Sequence, residues 1–373
     1  MQFEVEVAAG FTGPVELADG RLFALDADLK ALYSTDGRAW GRAGADEVPL
    51  FDVGAPGVRL KPMSIVRLAS GGLIMNYWEP VSRPAGTREF RTCVRWSHDE
   101  GATWSDPVEV TPPGLPAYPT YLLQMSSGRL LLPNEYAFKQ DSRNFRHNSM
   151  KVCTVFYSDD EGETWEESVD GVFVGEADRG ANASFVEAPC LAETSDGRLL
   201  LFMRTQMQRI AQSYSEDGGV HWEQGCFNDL VSSCSEIWID RLPDSGNLLC
   251  VWNQVSEAEI LSGYYRSRLS SAISSDSGAT WEQFRTIVQT AGMATVDRLE
   301  PAEPALALSS GVSPDRGPYP PGGHYTYRHP RVRFIGDHAY LRVDARCYDA
   351  PGSRVSYGDR LWVMPVGWFY GED

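Results

Sequence analysis

An octapeptide of the form S-x-D-x-G-x-x-W occurs four times along the chain, as SHDEGATW from 97, SDDEGETW from 158, SEDGGVHW from 215 and SSDSGATW from 274; a shortened copy, STDGRAW, starts at 34. Successive starts are 63, 61, 57 and 59 residues apart. So regular a period marks a repeated structural unit too small to bury a core alone, which must stack on its neighbours. The box itself reads as a hairpin turn, in which Asp and Ser side chains hydrogen-bond within the loop, Gly takes a positive φ and Trp folds back beneath it. Asp36, Asp99, Asp160, Asp217 and Asp276 are therefore read as structural.

A second repeat precedes each box: an apolar strand, a tight Gly turn and another apolar strand. It appears as VELADGRLFAL at Gly20, IVRLASGGLIMNY at Gly72, YLLQMSSGRLLLPNE at Gly128, LAETSDGRLLLFMR at Gly197, IDRLPDSGNLLCVWN at Gly246 and RVRFIGDHAYLRV at Gly336. Two strands around each Gly turn and two around each box make a four-stranded unit of about 62 residues, the size of a large propeller blade. The expected fold is all-β: a six-bladed β-propeller forming one domain over residues 1–373. The sixth unit has no box, and a terminal segment is expected to complete the blade shared by the two chain ends. The Pro-, Gly- and Ala-rich stretch from about 288 to 324 is expected as an insertion between blades five and six that caps one face of the ring.

Charge and composition narrow the function. Thirty-three Lys and Arg against 51 Asp and Glu leave −18 at neutral pH, which argues against a nucleic-acid groove or a polybasic membrane contact. No apolar run is long enough to span a bilayer, and MQFEVEVAAG lacks the basic start and apolar core of a secretory signal. The expectation is a soluble protein, cytoplasmic or secreted with its signal peptide absent from this chain. Seven scattered cysteines form no C-x-x-C pair, and no His, Cys and Asp cluster has metal-ligand spacing, so neither a metal nor another cofactor is expected.

In a propeller, equivalent residues of every blade arrive at the same end of the ring. Seven residues after the turn glycine stand Glu79, Glu135, Arg204 and Asn253, where apolar strands should end in a polar mouth. Ten residues before it stand Glu187 and Glu236, near the same end because hairpin strands run antiparallel.

The boxes and the six units resemble the sialidase superfamily of bacterial neuraminidase repeat, or Asp-box, propellers over nearly the whole chain. VEAPCLAETSDGRLLLFMR is similar to a sialidase segment, which implies that Arg204 is the second arginine of a carboxylate-binding triad. Glu187 then resembles the glutamate that polarises the nucleophile; it sits one residue early, and a bulge is needed to restore its facing. In RSRLSSAISSDSGATW, Arg266 matches the third arginine, with Arg268 as its rival. HYTYRHPRVRFIGD resembles the last-blade segment that carries the nucleophilic tyrosine, which implies Tyr327. The first arginine has no exact match: its position is Leu60, flanked by Arg59 and Lys61. The acid/base aspartate is absent from its expected stretch, leaving Glu79 or Glu89 to serve, with His147 and His329 as further proton carriers.

The resemblance implies a sialidase-like exo-glycosidase that removes a terminal sugar acid from a glycan. Three guanidiniums would bind the carboxylate, and a tyrosine assisted by Glu187 or Glu236 would attack the anomeric carbon. A same-fold glycosidase or polysaccharide lyase working through Glu79, Glu135 or a histidine stays open, as does a non-catalytic glycan-binding propeller. What separates enzyme from binding module is whether Glu187, Arg204, Arg266 and Tyr327 converge at one end of the axis.

Overall fold

The computed structural model describes residues 3–42, 61–82, 88–112, 120–138, 150–174, 186–301, 320, 323–350 and 353–372. Six antiparallel sheets follow one another along the chain. Blade one contains Val15–Glu16, Leu22–Leu25 and Ala31–Ser34, and blade two Lys61–Arg67, Leu73–Ser82, Arg88–Ser97 and Val108–Glu109. Blade three contains Leu123–Gln124, Leu130–Phe138, Met150–Ser158 and Glu166–Glu167. Val186–Glu193, Leu199–Thr205, Arg209–Ser215 and Cys226–Val231 form blade four, and Trp238–Arg241, Leu248–Trp252, Arg268–Ser274 and Glu282–Gln289 form blade five. Blade six combines His324–Ile335, His338–Ala350 and Ser353–Pro365 with the N-terminal strand Glu4–Glu6.

That last pairing closes the ring. Glu4, Val5 and Glu6 lie opposite Trp362, Leu361 and Arg360, so the first residues of the chain supply the outer strand of the last blade. The strands bracketing the expected insertion end at Gln289 and begin at His324. Residues 290–301 run without regular strands, and the stretch 302–319 lies outside the described residues.

Alternation explains why blade strands read as continuous apolar runs. Leu199, Leu200, Leu201, Phe202 and Met203 are all completely buried. Leu199, Leu201 and Met203 pack toward blade three. Leu200 and Phe202 pack toward blade five. A strand sandwiched between two neighbouring sheets buries both faces, and each such side chain contributes about 1.5–3 kcal/mol.

The boxes form the turns their sequence implies. Ser97 Oγ donates to Asp99 at 2.9 Å and accepts the Gly101 N–H at 2.8 Å. Asp99 in turn accepts the Thr103 N–H at 2.8 Å. Trp104 Nε1 donates to the Gly101 carbonyl at 3.1 Å, and Gly101 has φ +84, a conformation that favours glycine. Ser158, Asp160, Gly162 and Trp165 repeat the pattern, as do Ser215, Asp217, Gly219 and Trp222.

Candidate active site

A cavity of about 490 Å³ opens where the blades converge, and every blade contributes to its wall. Ala27 comes from blade one, Met63 and Trp78 from blade two, Tyr121 and Glu135 from blade three, and Ala188, Pro189 and Arg204 from blade four. Glu236 and Ile237 come from blade five, and His329, Arg331, Arg342, Asp344 and Arg346 from blade six.

Alternating charges cross four blades at its base. Lys151 bridges Glu135, at 3.3 Å, and Glu187. Arg204 holds Glu187 at 2.6 Å on one side and Glu236 on the other. Glu236 also contacts Arg266 at 3.2 Å and His329 Nδ1 at 3.5 Å. Burial opposes ionisation of Glu236, yet the guanidiniums of Arg266, Arg204 and Arg328 outweigh it and hold the carboxyl well below its ordinary range. Burial pulls His329 well below the usual histidine value despite Glu236, and the charges of Arg328, Arg266 and Arg342 act in the same direction. At neutral pH the pair is thus a carboxylate beside a neutral imidazole.

Local backbone irregularity aims these groups. The register shifts between Glu187 and Cys190, where Ala188 takes φ +46. This is the bulge that the position of Glu187 requires, and it places Glu187 directly opposite Arg204. Glu135 accepts the Ala188 N–H at 2.5 Å, so blade three supports the bulge of blade four. A second bulge between Arg328 and Arg331 contains His329 at φ +51.

The sequence-derived residues therefore divide. Glu135, Arg204, Glu236 and His329 line the cavity. Glu236 stands two residues before the strand Trp238–Arg241 rather than on it. Glu187 is buried behind this wall, and the same holds for Arg266, whose Nη2 donates to the Cys234 carbonyl at 2.7 Å. Both guanidiniums of the expected clamp already hold carboxylates.

Glu79 turns to Arg91 at 2.8 Å and does not line the cavity. Asn253 is fully buried and donates to the Arg268 and Tyr327 carbonyls at 2.9 and 3.0 Å, a structural link between blades five and six. Arg268, completely buried, holds Glu259 at 2.6 Å and the Ala294 carbonyl at 2.6 Å. Lys61 opens the first strand of blade two and Glu89 lies within its third. Arg59 and His147 lie outside the described residues.

Tyr327 does not line the cavity. Its ring packs in the core shared by blades four, five and six, with Tyr325 and Trp362 as ring neighbours at 6.4 and 6.5 Å. Burial raises its phenol above the ordinary value, and Glu4 adds to the shift. The pleat is the cause: Tyr327 lies opposite Ala345, whereas the next residue, Arg328, lies opposite Asp344 on the face toward the cavity. The bulge that could have changed this facing comes after Arg328.

Arg331, Arg342, Asp344 and Arg346 were not singled out from sequence. For the last three the signal is a period of two: R-x-D-x-R in LRVDARC places three charges on one face of an otherwise apolar strand. Lys151 had no comparable signal. Among the described residues, no group of three or more His, Cys, Asp or Glu side chains is placed to hold a metal ion, and no helix is long and apolar enough to cross a membrane.

Box-bearing blades around a charged axial cavity define a sialidase-superfamily propeller. Residues 61–328 match the BNR repeat-like domain, and the chain belongs to that family. It is 32% identical over 164 residues to an anhydrosialidase of Macrobdella decora, a match that covers 41% of this chain and 17% of the relative, so the chain corresponds to a small part of that protein. A protein of unknown function from Dyadobacter fermentans has a similar structure, with TM-score 0.64 at 16% identity over 97% of this chain and 98% of that one. The NanB sialidase of Streptococcus pneumoniae gives TM-score 0.56 at 14% identity, covering 98% and 71%. For the intramolecular trans-sialidase of Ruminococcus gnavus the TM-score is 0.53 at 14% identity, covering 97% and 96%. At these identities the structural likeness is one of fold.

Proposed function

We propose that this propeller is a glycoside hydrolase that removes a terminal sugar acid from a glycan in the axial cavity. The observation that carries this reading is local charge reversal. In a chain of net charge −18, the cavity wall brings Arg204, Arg331, Arg342 and Arg346 against Glu135, Glu236 and Asp344, a wall that is net cationic. Trp78 and Tyr121 add aromatic surface suited to a sugar ring. The sialidases among its relatives are in keeping with such a substrate.

With Tyr327 facing the other side of blade six, water is the attacking group in this reading. Ionised Glu236 and neutral His329 form the proton-transfer pair that activates it, and Glu135 is the second carboxylate facing the cavity. In this reading His329 takes the proton of the attacking water, ionised Glu236 stabilises the imidazolium so formed, and solvent protonates the departing oxygen, so that no covalent intermediate is needed.

Chromogenic glycosides of sialic and glucuronic acid, assayed beside their neutral counterparts, test the reading. Turnover of an acidic glycoside only, abolished in His329→Asn with the fold intact, is expected. Equal turnover of neutral glycosides would refute the sugar-acid substrate. Binding without turnover of any glycoside would favour a non-catalytic glycan-binding propeller. The same observation on Tyr327, together with the occupied guanidiniums of Arg204 and Arg266, supports that second reading.

A further inference from the structure

Two arginines of blade six stand apart from the ion pairs at the cavity base. Arg331 and Arg342 are direct cross-strand partners, so their side chains leave the same face about 5 Å apart. Both line the cavity, with only 8% and 7% of their surface exposed. Like charges directly opposite one another destabilise a sheet, and burial aggravates this because water no longer screens them.

The nearby carboxylates do not restore neutrality. Asp359 pairs with Arg342, while its other oxygen accepts the Gly10 and Phe11 N–H groups at 2.5 and 3.2 Å. Asp344 is held by Arg346 at 3.0 Å. Arg331 contacts no carboxylate among the described residues. Its Nη1 donates to the Met63 carbonyl at 2.5 Å, its guanidinium carbon lies 4.0 Å from the Tyr121 ring centroid, and its Nε has no partner. Arg342 Nε has none either. Burial lowers Arg331 to about 10 against the pull of Tyr121, and the charge of Arg342 lowers it further; it nonetheless stays cationic at neutral pH.

We infer that the Arg331–Arg342 pair is the receptor for the substrate's carboxylate, in place of the Arg204 and Arg266 clamp implied by family resemblance. A planar carboxylate between the two forks would supply the missing negative charge and accept hydrogen bonds from both. The Tyr121 ring, 4.0 Å from the guanidinium carbon, packs against the Arg331 fork. Arg204 and Arg266 keep Glu236 ionised and oriented instead. This inference rests on the sugar-acid reading above and assigns its specificity to blade six.

The test compares N-acetylneuraminic acid and glucuronic acid with their neutral methyl esters by calorimetric titration of the full chain. The parent is expected to prefer acid to ester for at least one sugar. Arg331→Met, which preserves the apolar stem against Tyr121, is expected to weaken binding of that acid by about 30-fold or more, as for loss of a buried charge partner, with ester binding unchanged. Arg331→Lys keeps the charge without the fork and serves if the methionine variant fails to fold; it should bind the acid more weakly than the parent and more tightly than Arg331→Met. A parent that prefers neither acid refutes the sugar-acid reading, and the inference falls with it. A parent that prefers the acid while folded Arg331 variants keep that preference refutes the inference alone, and loss of the preference in Arg204→Met instead would return the role to the base of the cavity.

Discussion

Glu236→Gln probes the charge network with the least change in shape. Glu236 touches Arg204, Arg266 at 3.2 Å and His329 at 3.5 Å. Glutamine keeps the volume and one acceptor oxygen but removes the charge, so Glu187 alone remains to neutralise Arg204, and Arg266 has no carboxylate. Breaking a buried ion pair by removing one partner costs about 3–5 kcal/mol, and the retained amide contact places this substitution at the lower end. With an unfolding entropy of roughly 2.1 cal/mol/K per residue, a loss of about 3 kcal/mol over 373 residues lowers Tm by about 4 °C. Glu79→Gln is the internal control. Glu79 and its partner Arg91 are 22% and 38% exposed, so that variant should lose at most about 1 kcal/mol and melt within roughly 1–2 °C of the parent. Differential scanning calorimetry at neutral pH reads both. A Glu236→Gln protein that melts no lower than Glu79→Gln would refute the view that Glu236 neutralises the buried guanidinium of Arg266 and the largely buried one of Arg204.

Trp222→Ala and Trp281→Ala should each cost about 3–5 kcal/mol by chemical denaturation, because both rings are more than nine-tenths buried; Trp104 and Trp165, only partly buried, should lose less, and equal losses at all four would contradict a cost set by burial. Tyr327→Phe should leave glycan binding and any turnover at parental levels, since the ring sits in the core and not at the cavity; complete loss of turnover with normal folding would reinstate the tyrosine as nucleophile. Acid should destabilise the parent in two windows. His329 has a depressed folded pKa, so its contribution is present above the unfolded value near 6.5 and fades as pH falls below it; that of Glu236, also depressed, is present above about 4.5 and fades as pH falls through the folded value. His329→Asn should flatten the fall in Tm between about pH 6.5 and 4.5, and an unchanged slope would show that His329 does not titrate there.

Features of the fold that repeat were readable, and those that occur once were not. A period near 60 residues names a blade because each unit must present the same two faces to its neighbours, which is why alternate residues of Leu199–Thr205 enter two different cores. The site depends on single events that break the repeat. Register counting from the turn glycine brought Glu135, Arg204, Glu187 and Glu236 to one network, but equal height is not equal facing. Glu79 and Asn253 share that height and turn elsewhere. Bulges decide the outcome. The one after Glu187 could be required from the offset of that residue, whereas the one after Arg328 leaves Tyr327 on the core side and brings His329 to Glu236. The arginines of blade six carried a legible alternation, yet resemblance drew attention to the tyrosine beside them.

The opposition between the charge of the whole chain and that of its cavity has a kinetic consequence. An acidic glycan approaching a molecule of net charge −18 meets repulsion at long range and attraction only within the cavity. Added salt shortens the Debye length to about 8 Å at physiological ionic strength and about 3 Å at 1 M. It therefore screens the distant repulsion first, while pairs as buried as Arg331 and Arg342 are screened far less. Association of an acidic ligand should consequently speed up from low to moderate salt, the reverse of ordinary steering between opposite charges, with dissociation nearly unchanged. Stopped-flow binding of a fluorescent sugar acid at several salt concentrations separates the two rates. Association that slows steadily with salt would mean that the ligand senses a cationic surface well before it reaches the cavity, and would remove the reason for assigning its capture to a few arginines at the axis.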